Sequence, residues 1–348
     1  MKYILQERYG NEFNAGSKAR NDAEKIALKC GYQPLVMDYN NYDNSKTIVS
    51  RIGKNITCVS GWHKLIKILK SGDTLLIQHP MQSGAFAAKL MMPKLKKRGV
   101  QTIALIHDLA SLRSMGEDNK TSNIHDFIIL PQYDKIISHN DRMTKILIKK
   151  YEIPTKKIIN LGIFDYLCQV DKKENVFDRS VVIAGNLNFE KCPYVREFIK
   201  CFKGTLHLYG VGLEEKNYGE NVHYHGSFPP DELPHMMKGA FGIVWDGSSI
   251  TTCTGNTGKY LKFNNPHKTS LYLASGIPVI VWSEAAMADF VKEHHVGIVV
   301  DSLDSLESVL ADVSETEYLL MCENAKKVAV MLKEGDYLKN ALLKCGGR

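Results

Sequence analysis

Apolar runs of strand length alternate with helically spaced stretches from one end of the chain to the other, the pattern of parallel sheets covered on both faces by helices. In a first series, Lys2 to Gln6, Pro34 to Met37, Thr74 to Gln78, Thr102 to Ile106 and Lys135 to Ser138 read as strands. Helical spacing covers Ser17 to Cys30, Trp62 to Lys70, Gly84 to Lys97 and Arg142 to Tyr151, with Gly31, Gly72 and Gly99 as stop signals.

The charged stretch Asp171-Lys172-Lys173-Glu174-Asn175 interrupts the pattern and reads as a linker. After it come strands at Ser180 to Ala184, Thr205 to Tyr209, Val222 to His225, Gly242 to Trp245, Pro278 to Val281 and Gly297 to Val300. The intervening helices are Tyr194 to Phe202, Pro230 to Lys238, Lys268 to Ala274 and Ala285 to His294, and a last helical region runs from Glu315 to Leu343. We therefore expect an α/β protein of two Rossmann-like doubly wound domains facing a central cleft. Their expected bounds are residues 1–168 and 176–325, with 326–348 returning to pack on the first domain.

Composition narrows the function classes. At 348 residues, 44% hydrophobic and 24% charged, the chain has no disordered bias. A net charge of +7, with Lys94, Lys96, Lys97 and Arg98 clustered, favours an anionic partner. Without a long basic stripe, a helix-turn-helix or a finger spacing, nucleic acid is not expected. Eight cysteines lack any C-x-x-C pair and read as reduced thiols, and the start of the chain turns polar after Ile4-Leu5 without a signal-peptide core, so a cytoplasmic location is expected. The mixed apolar and basic helix from Ala85 to Arg98 would fit peripheral contact with the inner face of a membrane, or ordinary packing with one face in solvent. Self-association is left open.

Chemistry concentrates in loops after strands. Asn264-Asn265-Pro266-His267-Lys268-Thr269-Ser270 opens a helix that Gly276 ends, so first-turn amides and Lys268 together suit a diphosphate. The same residues would also serve as a turn and a solvated helix start. His107 and Asp108 follow a strand where a general base belongs, although a satisfied histidine and a turn cap fit there equally. Gly185 and Asn186 permit close backbone approach after another strand, Arg179 before it could meet phosphate, and Gly10 to Asp22 brings two cations into a helix. Tyr209-Gly210-Val211-Gly212 has Glu215 where a dinucleotide fingerprint needs its third glycine, which argues against NAD. We read Gly210 and Gly212 as a turn allowing backbone to approach a base or ribose. No D-x-D pair occurs, so no metal cofactor is expected and Lys268 with the helix amides would replace it.

Asn14-Ala15-Gly16-Ser17-Lys18-Ala19, Ile106-His107-Asp108-Leu109 with Leu112-Arg113, Ala184-Gly185-Asn186-Leu187, Asn264 to Lys268 and Gly276 to Val281 together resemble bacterial β-1,6-galactofuranosyltransferases and the related glucosyltransferases that extend adhesin glycans. The resemblance spans nearly the whole chain and implies a GT-B architecture, a UDP-sugar donor and a glycan acceptor, lipid-linked or protein-linked. It implies donor contacts at Arg179, Gly185, Asn186, Tyr209, Tyr260, Asn265, His267, Lys268 and Ser270, an acceptor side at Asn14, Gly16, Lys18 and Arg113, and catalysis by Asp108 with His107. Family members commonly carry an acid after His-Asp-Leu, where this chain has Ala110. Large retaining GT-B families place a second Glu after seven intervening residues; from Glu284 that position is Lys292, so inversion is expected. A GT-B sugar-nucleotide epimerase or hydrolase, or a non-catalytic nucleotide- or glycan-binding subunit, fits the same chemistry.

Overall fold

The computed structural model describes residues 1–8, 15–38, 48–82, 85–114, 124–169, 176–214 and 217–346. Contacts divide the chain into unit 1, made of Met1–Glu12, Arg20–Leu161 and Leu338–Arg348, and unit 2, made of Phe13–Ala19 and Gly162–Tyr337.

Unit 1 holds a parallel sheet of β1 (Lys2–Arg8), β2 (Gln33–Asp38), β3 (Thr74–His79), β4 (Gln101–Ile106), β5 (Lys135–Ser138) and β6 (Ile158–Asn160), in the order β2-β1-β3-β4-β5-β6. Central strands β3 and β4 are buried after their first residue, which is why Leu75-Leu76-Ile77 and Ile103-Ala104-Leu105 are unbroken apolar runs rather than alternating ones. The helices are α1 (Ala15–Lys29), α2 (Ile48–Ile68), α3 (Ala85–Lys97), α4 (Ala110–Arg113) and α5 (Asp141–Tyr151), with a π-helical turn at Ile124–Ile129. Asn140 caps α5 by accepting from the Met143 N–H at 2.9 Å. Helix α2 starts well before the expected Trp62, because β-branched residues and two glycines weaken the signal of its first half, while Cys58, Trp62 and Leu65 bury one face.

Unit 2 holds β7 (Val181–Asn186), β8 (Leu206–Val211), β9 (Val222–Tyr224), β10 (Phe241–Val244), β11 (Val279–Trp282) and β12 (Gly297–Val300), ordered β12-β11-β10-β7-β8-β9. Alternate residues enter two separate cores. Val181, Ile183, Ile280 and Trp282 pack with α6 (Pro193–Cys201) and α11 (Leu306–Asp312), whereas Val182, Ala184, Val279 and Val281 pack with α9 (His267–Ala274) and α10 (Met287–His294). The period-two alternation thus makes the sheet doubly wound. The remaining helices are α7 (Leu233–Met236), α8 (Gly255–Tyr260) and α12 (Glu315–Glu334), while α13 (Asp336–Gly346) belongs to unit 1 from Leu338 on. The expected single C-terminal helical region is two helices, since Gly335 adopts φ 78° and ends α12.

Candidate functional site

In open parallel sheets the strand order reverses at one point, and the loops leaving the carboxyl ends of the two strands there diverge to leave a crevice. In unit 2 that point lies between β7 and β10, whose ends lead into Gly185-Asn186 and Trp245-Asp246. Helix α9 brings Lys268 to it: a Cβ built on Gly185 would lie 3.1 Å from Lys268 Cε and 3.7 Å from Nζ. Lys268 makes no hydrogen bond or ion pair among the described residues. Burial raises the pKa of both Cys192 and Cys253; the Asp246 carboxylate adds to the rise and Lys268 opposes it at each thiol, and at Cys253 a hydrogen bond with the Asp246 main chain opposes it as well. An ammonium and a carboxylate therefore act on the same pair of thiols.

The segment carrying Lys268 is anchored by some polar groups and leaves others unused. Asn265 Nδ2 donates to Gly162 O at 2.9 Å, and Ser270 Oγ donates to Phe164 O at 2.6 Å. The His267 ring packs 5.1 Å from Tyr166 and 6.2 Å from Phe164. Burial first, then Lys18, lowers its pKa to about 4, so the imidazole is neutral. One ring nitrogen bonds the Asp165 main chain, and Nε2, with Asn264 Oδ1 and Thr269 Oγ1, is buried without a hydrogen-bond partner among the described residues. Three such atoms therefore fall within one loop and helix start. The amides of His267 and Lys268 add donors, having no intrahelical acceptor at a helix N-terminus.

Other expected donor residues lie elsewhere or are already engaged. Arg179 precedes β7, at the opposite end from Asn186, and its guanidinium donates to Leu310 O at 2.9 Å and Val313 O at 3.3 Å. Tyr209 is buried, with its hydroxyl donating to Met236 O and accepting from Lys238 N, both at 3.0 Å. Tyr260 is buried, while Asn186 is exposed and accepts from Asn188 N at 2.9 Å. Gly210 answers to the neighbouring strand rather than to a ligand, because a Cβ there would fall 1.7 Å from Gly185 O.

In unit 1 the strand order reverses between β1 and β3. His107 Nε2 and Gln78 Oε1 are 2.7 Å apart, and Gln78 Nε2 donates to Glu24 Oε1 at 3.3 Å. Since a carboxylate only accepts, the glutamine oxygen faces the imidazole, and neutral His107 carries its proton on Nε2. Asp108 is ion-paired to Arg113 at 2.9 Å. Arg20 donates to Pro80 O at 2.8 Å; burial lowers its pKa, opposed by Glu7, Asp108 and Glu24. Beneath lie His79 and Asp126, both fully buried and 3.3 Å apart, and Asp126 Oδ2 accepts from Ser111 N at 2.7 Å.

Of the expected acceptor-side residues, Asn14 lies outside the described residues and Gly16 lies in the first turn of α1. Lys18 is buried in unit 2, donating to Leu167 O at 2.5 Å, pairing with Asp231 at 2.7 Å and lying 4.8 Å from the Tyr166 ring centre. Gln78, Glu24, His79 and Asp126 were not among the expected site residues, and only Gln78 and His79 carry a linear signal, that of polar residues at the end of a strand.

The fold matches a glycosyltransferase from Rickettsia africae (TM-score 0.60, 11% identity, 99% of this chain and 98% of that one) and the E. coli trehalose-6-phosphate structure bound with UDP-2-fluoro glucose (TM-score 0.62, 9% identity, 99% and 98%). In sequence the chain is 34% identical to β-1,6-galactofuranosyltransferase WbbI of Escherichia coli (strain K12), over 98% of this chain and 97% of that protein. It is 28% identical to glucosyltransferase 3 of Streptococcus gordonii, over 93% and 92%. Residues 1–163 match the N-terminal domain model of the glucosyltransferase 3-like family and residues 181–345 match its C-terminal domain model. The doubly wound sheets, these relatives and both domain models agree: the chain belongs to the glucosyltransferase 3-like family of GT-B glycosyltransferases.

Proposed function

We propose that this chain is a UDP-sugar-dependent hexosyltransferase that moves galactofuranose or glucose to a glycan acceptor with inversion, in the assembly of a cell-surface polysaccharide or a glycoprotein glycan. The observation that carries this is Lys268, unpaired among the described residues and lying against Gly185 where the unit 2 strand order reverses. The names of the relatives support sugar transfer, and the UDP-sugar in one structural neighbour supports the donor class.

The donor is assigned to residues 176–325 and the acceptor to residues 1–168, with 326–348 completing the structure. As the acceptor oxygen bonds the anomeric carbon, its proton passes to Asp108 or His107, and the bond from that carbon to the UDP oxygen breaks. Negative charge then grows on the diphosphate, where Lys268 and the first-turn amides of α9 stabilise it without a metal ion. The Glu24–Gln78–His107 chain orients the imidazole through Nε2. Gly185, Asn186, Asn265 and His267 are assigned to the donor alongside Lys268. Ser270, Tyr209 and Tyr260 stand behind it as packing, and Arg179, at the far end of β7, is given no donor contact. Lys18 and Arg113 support the acceptor side through their ion pairs.

A thermal-shift panel of UDP, UDP-glucose and UDP-galactofuranose tests the donor site. UDP should stabilise the protein, and Lys268→Ala should weaken its binding roughly ten-fold or more, the worth of a hydrogen bond to a charged group. Undiminished stabilisation in that variant would move the donor elsewhere. Turnover with acceptor should survive chelation, and NMR of the product should give the anomeric configuration opposite to that of the donor. Equal consumption of UDP-sugar without any acceptor would instead identify an epimerase or hydrolase.

A further inference from the structure

Helices α2 and α3 pack against each other in unit 1, and neither contains an aspartate or glutamate. The inner face of α3 is apolar and buried through Ala88, Met91, Met92 and Leu95. Its outer face mixes exposed apolar and basic residues. Phe86 and Leu90 stand one turn apart, 54% and 43% exposed, and exposed Lys94 and Lys97 continue their line with Lys89 beside it. Helix α2 adds Ile56, 64% exposed, with exposed His63, Lys64 and Lys67 two and three turns on.

Side-chain contacts join the two outer faces, among them Arg98 donating to Lys67 O at 3.4 Å. Lys94 Nζ lies 3.1 Å from His63 Nε2, and His63 Nδ1 lies 2.9 Å from Val59 O. The carbonyl accepts the imidazole proton on Nδ1, so Nε2 accepts from the Lys94 ammonium. Lys64, Lys67, Lys89 and Lys97 make no ion pair among the described residues.

We propose that this face docks on an anionic lipid bilayer, with Ile56, Phe86 and Leu90 entering the interface and the lysines meeting headgroup phosphates. Charge complementarity selects a polyanion, and the apolar side chains set among the cations select a lipid surface over a nucleic acid, whose backbone would leave them in water. The contact is peripheral, since no helix among the described residues is long and apolar enough to cross a membrane. It is independent of the donor assignment.

Sedimentation of the full chain with vesicles tests this. Vesicles of phosphatidylcholine with phosphatidylglycerol as one lipid in three should carry the protein down, and phosphatidylcholine alone should not. Lys89→Gln with Lys94→Gln and Lys97→Gln should weaken partitioning about a hundred-fold, near five-fold for each charge. Phe86→Ser with Leu90→Ser should weaken it about ten-fold and make the remainder vanish in high salt. Failure to sediment with anionic vesicles, equal binding to neutral ones, or full binding by both variants with native melting temperatures would overturn the proposal. So would a duplex oligonucleotide that displaces the vesicles and binds the serine variant as tightly as the native chain.

Discussion

Lys268 lies against Gly185, with room for a hydrogen there but not comfortably for a methyl: a Cβ would come within 3.1 Å of Lys268 Cε. Gly185 also holds φ 129°, a conformation that a side chain strains. Two residues far apart in sequence therefore share one space at the end of β7.

Gly185→Ala should leave a folded protein with weakened UDP binding, because the methyl displaces the ammonium and strains the turn. We expect a loss of roughly ten-fold, and less than additive loss when it is combined with Lys268→Ala, since both act on one contact. Calorimetric titration with UDP measures each. Full additivity would mean that residue 185 acts on the nucleotide without Lys268.

Gln78→Leu should lower kcat at least ten-fold while UDP affinity stays unchanged, since it removes the acceptor that fixes the His107 proton on Nε2. Gln78→Glu should instead put a carboxylate beside the imidazole, raise its pKa and move the acidic limb of the kcat/KM profile to higher pH. A merely structural glutamine would lower activity without moving that limb, and an unmoved limb would take His107 out of the proton transfer.

What the sequence disclosed follows from how local each signal is. Strands such as β3 were legible because burial on both faces leaves a continuous apolar run. The break at Gly335 was not, because the helical spacing of apolar residues resumes directly after it and a single glycine inside a helix is common. The segment from Asn264 to Ser270 was legible because its groups are consecutive. The Glu24–Gln78–His107 chain draws on α1, β3 and the end of β4, and no linear spacing joins them. Arg179 illustrates the opposite case: it is close to Asn186 in sequence, but the intervening extended strand carries the two apart.

Acid should destabilise the fold through its buried neutral histidines. Burial holds His139, which lies 3.0 Å from Ile106 O, at a pKa of about 4, against 6.5 as the ordinary value. The unfolded chain therefore binds the proton more readily, so the contribution of His139 is complete above pH 6.5 and is lost as pH falls toward 4, at a cost of about 3 kcal/mol. His139→Gln keeps a donor for that carbonyl and removes the titration. Its melting temperature should fall less than that of the native chain between pH 6.5 and 4, and parallel curves would place the acid lability elsewhere. His125, also lowered to about 4 by burial first and then by His79, remains in the variant, so some acid sensitivity persists.

Asp126 should matter twice, to stability and to turnover. Its two carboxylate oxygens serve buried His79 Nε2 and the Ser111 N–H, so Asp126→Ala strands both donors in the interior and should cost about 3–5 kcal/mol in urea unfolding. Asp126→Asn keeps the volume and one acceptor and should cost less. Ser111 belongs to α4, the helix whose Arg113 holds Asp108, so the asparagine variant should also lower kcat. Its affinity for UDP should be native, because the residues assigned to the donor belong to the other unit. A variant that loses UDP affinity along with kcat would mean general damage to the protein. One that loses stability while kcat stays native would show that the carboxylate holds the core together without positioning Asp108.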